Sequence, residues 1–125
     1  MIILDYKDAR PMYEQVVDKF QVLIEKEVLK TDEKMPSVRA LAIELSINPN
    51  TVQKAYAELE RRGYIYTVKG KGNFVSYDES MKLQNKKKQE NTFAEAAREA
   101  MRAGFSREEL HAIVDRTEKE GGKHS

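Results

Sequence analysis

The sequence predicts a mainly α-helical fold with a small β-hairpin. Apolar residues recur at three- and four-residue steps in the first half, a glycine-rich turn separates two runs of β-branched and aromatic residues, and further amphipathic stretches follow. The 125 residues and the 40% hydrophobic content are enough for one small core. We therefore expect a single small globular domain with an extension.

Two helices are predicted in the first third of the chain. Pro11 suits the first turn of a helix at about 11–30, whose apolar side chains recur at helical spacing. After a polar loop, Ser37 is predicted to cap a second helix at about 37–45. Arg39 lies opposite the apolar stripe of this second helix, so its guanidinium is expected to point into solvent.

The third predicted helix, at 48–62, has one apolar and one polar face. Asn48 is a good N-cap, Pro49 suits the first helical position, and Gly63 can adopt the left-handed conformation that ends a helix. The apolar face is expected to pack against a core and comprises Val52, Ala55, Tyr56 and Leu59. The polar face is expected to be exposed and comprises Asn50, Gln53, Lys54, Ala57 and Arg61.

A β-hairpin is predicted directly after this helix. Residues 64–68 and 73–76 are rich in β-branched or aromatic side chains, and the glycines of 69–72 suit a turn. Helices two and three are joined by a turn of a few residues, as in a helix-turn-helix. With the hairpin they predict a winged helix-turn-helix domain at 1–77, whose third helix would enter the DNA major groove.

A helical extension is predicted at 78–120, followed by a disordered tail at 121–125. The polar run at 84–91 is either a linker or a solvated helical turn. Two short helices, separated by Gly104 and the capping box that begins at Ser106, lack a core of their own. Their apolar face must therefore pack on the first domain, on a partner, or on both.

This apolar face could line a small ligand pocket, but apolar stripes at helical spacing are more often packing surface. We interpret it as the interface of a homodimer. Its members are Phe93, Ala97, Ala100, Met101, Leu110, Ile113 and Val114. Nothing in the sequence identifies a small-molecule effector.

Charge is unevenly distributed, although the formal net charge is only +1. Residues 1–33 carry more acidic than basic side chains, whereas residues 34–75 carry more basic than acidic ones. The surplus positive charge therefore surrounds the third helix and the hairpin. This distribution favours double-stranded DNA as a partner.

Five side chains of the basic segment are candidate DNA contacts. Arg39 is close to the start of the third helix, and we interpret it as a contact rather than an ordinary surface arginine. The amides of Asn50 and Gln53 can each form two hydrogen bonds with adenine. For Lys54 and Arg61, phosphate contact and plain solvent exposure are equally good interpretations.

Several classes of function are disfavoured. The sequence has no cysteine, and no apolar run approaches the ~18 residues of a membrane span or forms a signal-peptide hydrophobic region. His111 and His124 do not form a credible metal site, and 70–72 lacks the spacing of a phosphate-binding loop. We expect a cytoplasmic protein that is no enzyme and has no metal, no cofactor and no membrane partner.

Four motifs follow one another along the first domain. They read PMYEQV at 11–16, MPSVRALA at 35–42, NPNTV at 48–52 and GKGNFV at 70–75. Together they closely resemble the GntR family of bacterial transcription regulators, and the short extension resembles its YtrA-like subfamily. The resemblance implies a homodimeric repressor of a pseudo-palindromic operator. In several such proteins, the regulated operon includes the regulator's own gene and a membrane transporter.

The resemblance also implies a set of DNA contacts. They fall on Arg39, Asn48, Asn50, Thr51, Gln53, Lys69, Gly70 and Lys71. Pro49 and Gln53 stand where relatives with other extensions often carry arginine, so the base sequence that those relatives read is not transferred. Two other hypotheses remain open: a winged helix that docks protein, and a binder that is indifferent to nucleic-acid sequence.

Overall fold

The structure is a computed structural model that describes residues 2–122. Its elements in chain order are α1 (Met12–Glu25), α2 (Val38–Leu45), α3 (Pro49–Arg61), β1 (Ile65–Val68), β2 (Gly72–Val75), α4 (Glu79–Arg102) and α5 (Arg107–Gly122). The predicted class, mainly α with a small β-hairpin, is confirmed. The chain divides into two compact units, Met1–Lys82 and Leu83–Ser125, which are described separately. Across the described residues, every helix is too short or too polar to cross a membrane.

α1 ends at Glu25, well before the predicted boundary at residue 30. Glu27 adopts a φ of +60°, and the Leu29 amide turns back to donate to the Leu23 carbonyl (3.2 Å). This left-handed turn ends the helix. Leu29 is still buried. Val28, four residues after Ile24, continues the apolar spacing past the end of the helical backbone, and for that reason the sequence pattern predicts too long a helix.

α2 and α3 begin at side-chain caps, as predicted. The Ser37 hydroxyl accepts a hydrogen bond from the Ala40 amide (3.0 Å), and the Asn48 side-chain oxygen accepts one from the Asn50 amide (2.8 Å). Between the two helices, Ser46 adopts the left-handed conformation at φ +55°. These local interactions fix the residue at which each helix starts.

β1 and β2 form the predicted antiparallel hairpin, which we call the wing. Ile65 pairs with Val75 and Val68 pairs with Gly72. Gly63 precedes the wing at φ +86°, a left-handed conformation that most side chains avoid. It ends α3 and turns the chain into β1, as the sequence predicts.

A third segment, residues 32–35, pairs with the outer edge of β2. The Val75 amide donates to the Glu33 carbonyl (2.9 Å), and the Met35 amide donates to the Asn73 carbonyl (2.8 Å). The sequence predicts only a loop here, because the segment is polar and short. The chain entering α2 is therefore anchored to the wing by backbone hydrogen bonds.

The apolar face of α3 forms the centre of the core of the first unit. Its four predicted members are at most 1% exposed. The Tyr56 ring packs edge-on against Phe20 of α1, with ring centroids 5.9 Å apart, and its hydroxyl donates to the Pro36 carbonyl (2.7 Å). One side chain thus fixes α3 against both α1 and the segment that leads into α2.

α4 is a single helix of 24 residues. Of the two alternatives for 84–91, the linker is wrong, because the whole run is helical. The Asp78 carboxylate accepts a hydrogen bond from the Met81 amide (2.9 Å) near the start of the helix. Neither glycine nor proline interrupts the sequence between Glu79 and Arg102, so helical propensity extends across the polar run.

α5 starts at the predicted capping box. The Ser106 amide donates to the Glu109 carboxylate (2.9 Å), and the Glu109 amide donates to the Ser106 hydroxyl (3.1 Å). Gly104, at φ +106°, separates this helix from α4. α5 continues to Gly122, so the first two residues of the predicted tail 121–125 are helical, and 123–125 lie outside the described residues.

Tyr56→Phe should lower the free energy of unfolding by about 1–2 kcal/mol, because the Pro36 carbonyl then loses its partner inside the protein. Urea denaturation followed by circular dichroism measures this change. Tyr6→Phe is the matched control, because the Tyr6 hydroxyl donates to the Leu45 carbonyl at an exposed position where water can replace it. Equal losses in the two variants would contradict a special role for Tyr56.

Candidate nucleic-acid interface

The exposed face of α3 carries all the side chains that the sequence predicts there. Asn50, Gln53, Lys54, Ala57 and Arg61 are exposed. Within residues 2–122, the side-chain amides of Asn50 and Gln53 have no hydrogen-bond partner. A side-chain amide offers two donor hydrogens and one acceptor oxygen. Both residues therefore keep their full capacity to bind an external partner.

The first turn of α3 combines structural and free polar groups. The side-chain oxygen of Asn48 is occupied as the helix cap, which leaves its NH₂ group for another partner. Thr51 is half-buried. Both residues are at the predicted face, but the Asn48 oxygen is occupied and Thr51 is less exposed than Asn50.

Lys54 makes an internal contact that the sequence does not predict. Its ammonium lies over the Tyr13 ring of α1, 4.0 Å from the ring centroid. This cation–π interaction directs the Lys54 side chain toward α1. A phosphate contact by Lys54 remains a prediction.

Arg61, at the other end of the exposed face, is also engaged within the protein. Glu58 pairs with Arg61 (2.6 Å) and with Arg62 (2.9 Å), and Arg62 donates further to the Gln21 side chain on α1 (3.0 Å). Hydrogen bonds donated by Arg61, and to a smaller extent by Arg62, lower the pKa of the Glu58 carboxyl to about 2. These three charges neutralise one another in part and connect the end of α3 to α1.

Arg39 and the wing tip carry cations that lack an ion-pair partner among residues 2–122. Arg39 is exposed on the first turn of α2, and Lys69, Gly70 and Lys71 are exposed at the tip. In the part of the chain that the structure describes, none of the three basic side chains forms an ion pair. The tip turn is closed by a hydrogen bond from the Lys71 amide to the Val68 carbonyl (2.9 Å). Gly70 supplies the positive φ of +78° that this turn contains.

A groove of about 390 Å³ lies between α3 and the wing. Gln53, Ala57 and Asn73 are among its lining residues. At the wall of the groove, the Thr67 hydroxyl lies 2.5 Å from a Glu60 carboxylate oxygen and 2.7 Å from the Asn73 side chain. Sequence reasoning missed this connection between α3 and the wing, because no local pattern marks a contact between two exposed polar residues.

The second unit has an apolar groove of about 430 Å³. Five residues of the predicted interface line it: Phe93, Ala97, Met101, Leu110 and Val114. Phe93 is 62% exposed, which is unusual for so large an aromatic side chain. The other two residues of the predicted interface, Ala100 and Ile113, are half-buried and do not line the groove. Arg107, His111 and Asp115 add polar groups to the groove.

Comparison with known sequences identifies one family. Residues 12–75, slightly more than half of the chain, match the family described as bacterial regulatory proteins, gntR family. The chain is 46% identical over 76 residues to the HTH-type transcriptional repressor YtrA of Bacillus subtilis (strain 168), an alignment that covers 61% of this chain and 58% of YtrA. The chain thus spans about three fifths of the length of YtrA and of a second Bacillus subtilis relative, the uncharacterized regulator YhcF, and a smaller share of other curated relatives.

Solved structures share the fold. A GntR family transcriptional regulator from Listeria monocytogenes is similar with a TM-score of 0.74 at 33% identity, covering 89% of this chain and 98% of that chain. AraR(DBD) in complex with operator ORE1 is similar with a TM-score of 0.52 at 29% identity, covering 58% of this chain and 89% of that chain. The family resemblance found in the four motifs is confirmed, and the relatives are named as regulators rather than enzymes.

Glu58→Gln should lower the melting temperature at pH 7 modestly, as expected for the loss of exposed ion pairs. In the unfolded chain the carboxyl regains an ordinary pKa of about 4.3. The stabilisation by Glu58 is therefore complete above that pH and is lost as the pH falls from about 4.3 toward 2. Melting curves of wild type and variant should converge over this range.

Glu33→Gln is the control for this experiment, because Glu33 is exposed and its carboxylate makes no ion pair among the described residues. The control should differ little from wild type at any pH. A Glu58→Gln difference that persists unchanged at pH 2 would contradict the ion-pair origin of the effect.

Proposed function

The chain belongs to the gntR family of bacterial regulatory proteins, and on this premise we propose that it is a transcription repressor that binds an operator in duplex DNA. The observation that carries the proposal is the exposed face of α3, where the free amides of Asn50 and Gln53 lie on a helix fixed by its cap and its buried face. A helix of this kind fits the major groove. The protein acts in the bacterial cytoplasm, where the DNA is.

Each part of the surface has a distinct role. Asn50 and Gln53 read base edges, with adenine as the favoured partner of a side-chain amide. Asn48, Thr51 and Lys54 contact the same groove or its phosphates. Arg39, Lys69 and Lys71 bind the phosphate backbone, and Gly70 lets the wing tip approach it closely. Phosphate contacts position the protein, whereas base contacts give sequence preference.

The second unit joins two copies into a homodimer. Its apolar groove, with the exposed Phe93 and Met101, is the kind of surface that a monomer rarely leaves in water. A two-fold dimer presents two α3 helices to half-sites about one helical turn apart, ~34 Å, on a pseudo-palindrome. Bound there, it represses transcription by blocking the polymerase. The regulated operon includes the regulator's own gene and a membrane transporter.

Two alternatives make different predictions. A winged helix that docks protein does not require unpaired cations at both Arg39 and the wing tip. A binder that is indifferent to sequence loses its bound duplex when unlabelled DNA of any sequence is added in excess. The free amides on α3 favour sequence preference over both alternatives.

The decisive experiment selects bound duplexes from a random-sequence library with the full-length protein. Recovery of one pseudo-palindromic sequence, retained against excess unrelated DNA at about 0.15 M salt, is the expected result. Recovery of unrelated sequences would overturn specific operator binding. Genomic fragments bound under the same conditions then show whether the selected sequence lies upstream of the protein's own gene.

Arg39→Ala and Lys71→Ala should each weaken binding to the selected duplex and reduce the salt slope, the dependence of log K on log salt concentration, by about 0.9. Each substitution removes one proposed phosphate contact. Fluorescence anisotropy over a salt series measures the slope. Lys30→Ala, an exposed lysine outside this surface, is the control and should leave the slope unchanged. Unchanged slopes in both test variants would contradict the proposed phosphate contacts of Arg39 and Lys71.

Phe93→Glu should weaken dimerisation at least tenfold, because it places a charge in the proposed interface. Sedimentation equilibrium measures the monomer–dimer constant. Leu83→Glu is the matched control: Leu83 is a 70% exposed apolar residue of the same helix that does not line the groove. Equal effects of the two substitutions, or a wild-type chain that sediments as a monomer, would contradict this interface.

A further inference from the structure

Lys34 belongs to the wing in space, although it precedes α2 in the chain. It forms an antiparallel bridge with Phe74 of β2. The backbone of its neighbours Glu33 and Met35 is hydrogen-bonded to the same strand. Lys34 is therefore held by a sheet edge rather than by an unconstrained loop.

The side chain of Lys34 extends toward the wing tip. In a strand, successive side chains point to opposite faces. Met35 is buried at 2% exposure, whereas Lys34 is exposed. Its stem lies over Gly72, the residue after the tip: a Cβ atom at Gly72 would be 3.1 Å from Lys34 Cε and 3.9 Å from Nζ. The absence of a side chain at Gly72 thus leaves the space that the lysine stem occupies.

Three lysines are consequently grouped at one end of the hairpin: Lys34, Lys69 and Lys71. Within the described residues, none of them forms an ion pair. The nearby Asp32 on the same segment accepts a hydrogen bond from the Tyr66 hydroxyl (2.9 Å) instead. Like charges in proximity repel one another, and a phosphate backbone relieves this repulsion.

We propose that Lys34 is a third cation of the wing and binds a phosphate of the DNA backbone beside those bound by Lys69 and Lys71. This inference rests on the proposed function, since it adds a contact to the same interface. It also gives Gly72 a role in binding, because the bare backbone there lets the Lys34 ammonium approach the tip. Lys34 contributes affinity and salt dependence but no base preference.

The test compares Lys34→Gln with Lys30→Gln in the full-length protein. Both substitutions remove one positive charge and keep a similar side-chain length, but Lys30 lies outside the wing. The probe is a labelled mixed-sequence duplex of about three helical turns, titrated by fluorescence anisotropy between 0.05 and 0.2 M salt. Arg39→Ala and Lys71→Ala are measured in parallel, and thermal melting verifies that each variant is folded.

Lys34→Gln should lower the salt slope by about 0.9, so that the affinity ratio of wild type to variant changes about threefold across the salt series. Lys30→Gln should leave the slope unchanged. An unchanged slope for Lys34→Gln, with reduced slopes for Arg39→Ala and Lys71→Ala, overturns the Lys34 contact alone. Equal reductions of the salt slope in Lys34→Gln and Lys30→Gln also overturn it, because they would show that the slope follows the net charge of the protein rather than a contact by Lys34. Unchanged slopes in all variants would overturn the DNA interface itself.

Discussion

The hydrogen bond from the Tyr56 hydroxyl to the Pro36 carbonyl connects the parts of the first unit that meet at the proposed interface. The Tyr56 ring is packed against Phe20, so the same side chain fixes α3 on α1. Pro36 directly follows Met35, whose amide is bonded to the wing. The positions of α3, the start of α2 and the wing therefore depend on one buried side chain. The same side chain determines the relative positions of the exposed groups that these elements carry.

The basic side chains of α3, the start of α2 and the wing divide into two classes. Lys54 lies on an aromatic ring of α1, and Arg61 and Arg62 share the Glu58 carboxylate. Lys54 and Arg62 connect α3 to α1, whereas Arg61 is paired within α3. A second class, Arg39 with the lysines of the wing, has no such partner within the described residues. A count of positive charges along the sequence does not distinguish the two classes, because the distinction depends on neighbours from other elements.

Much of the fold could be predicted because its signals are local. The caps at Ser37 and Asn48, the left-handed Gly63 and the two faces of α3 each follow from a few adjacent residues. The predictions that were wrong have non-local or cooperative causes. The left-handed turn at Glu27 ends α1 while the apolar spacing continues to Val28, and helix propagation carries α4 through a polar run.

The candidate interface was harder to predict in full. Asn50 and Gln53 could be found from helical spacing alone, since the helix itself determines which face they share. The pairing of 32–35 with β2 brings together residues that are about forty positions apart, and no periodicity in either segment encodes that pairing. The location of Lys34 beside the wing tip is therefore visible only in the folded chain.

The division of α3 into two faces has a consequence for how this protein can change over time. Its buried face holds the core, while Asn50 and Gln53 contribute no contact to that core. Substitutions at these two positions by residues other than proline should change stability little, because both side chains are exposed and the helix cap uses only the backbone amide of Asn50. Under the proposed function, new operator preferences are therefore accessible by single substitutions without loss of the fold, and a gene duplicate could acquire a separate set of target genes.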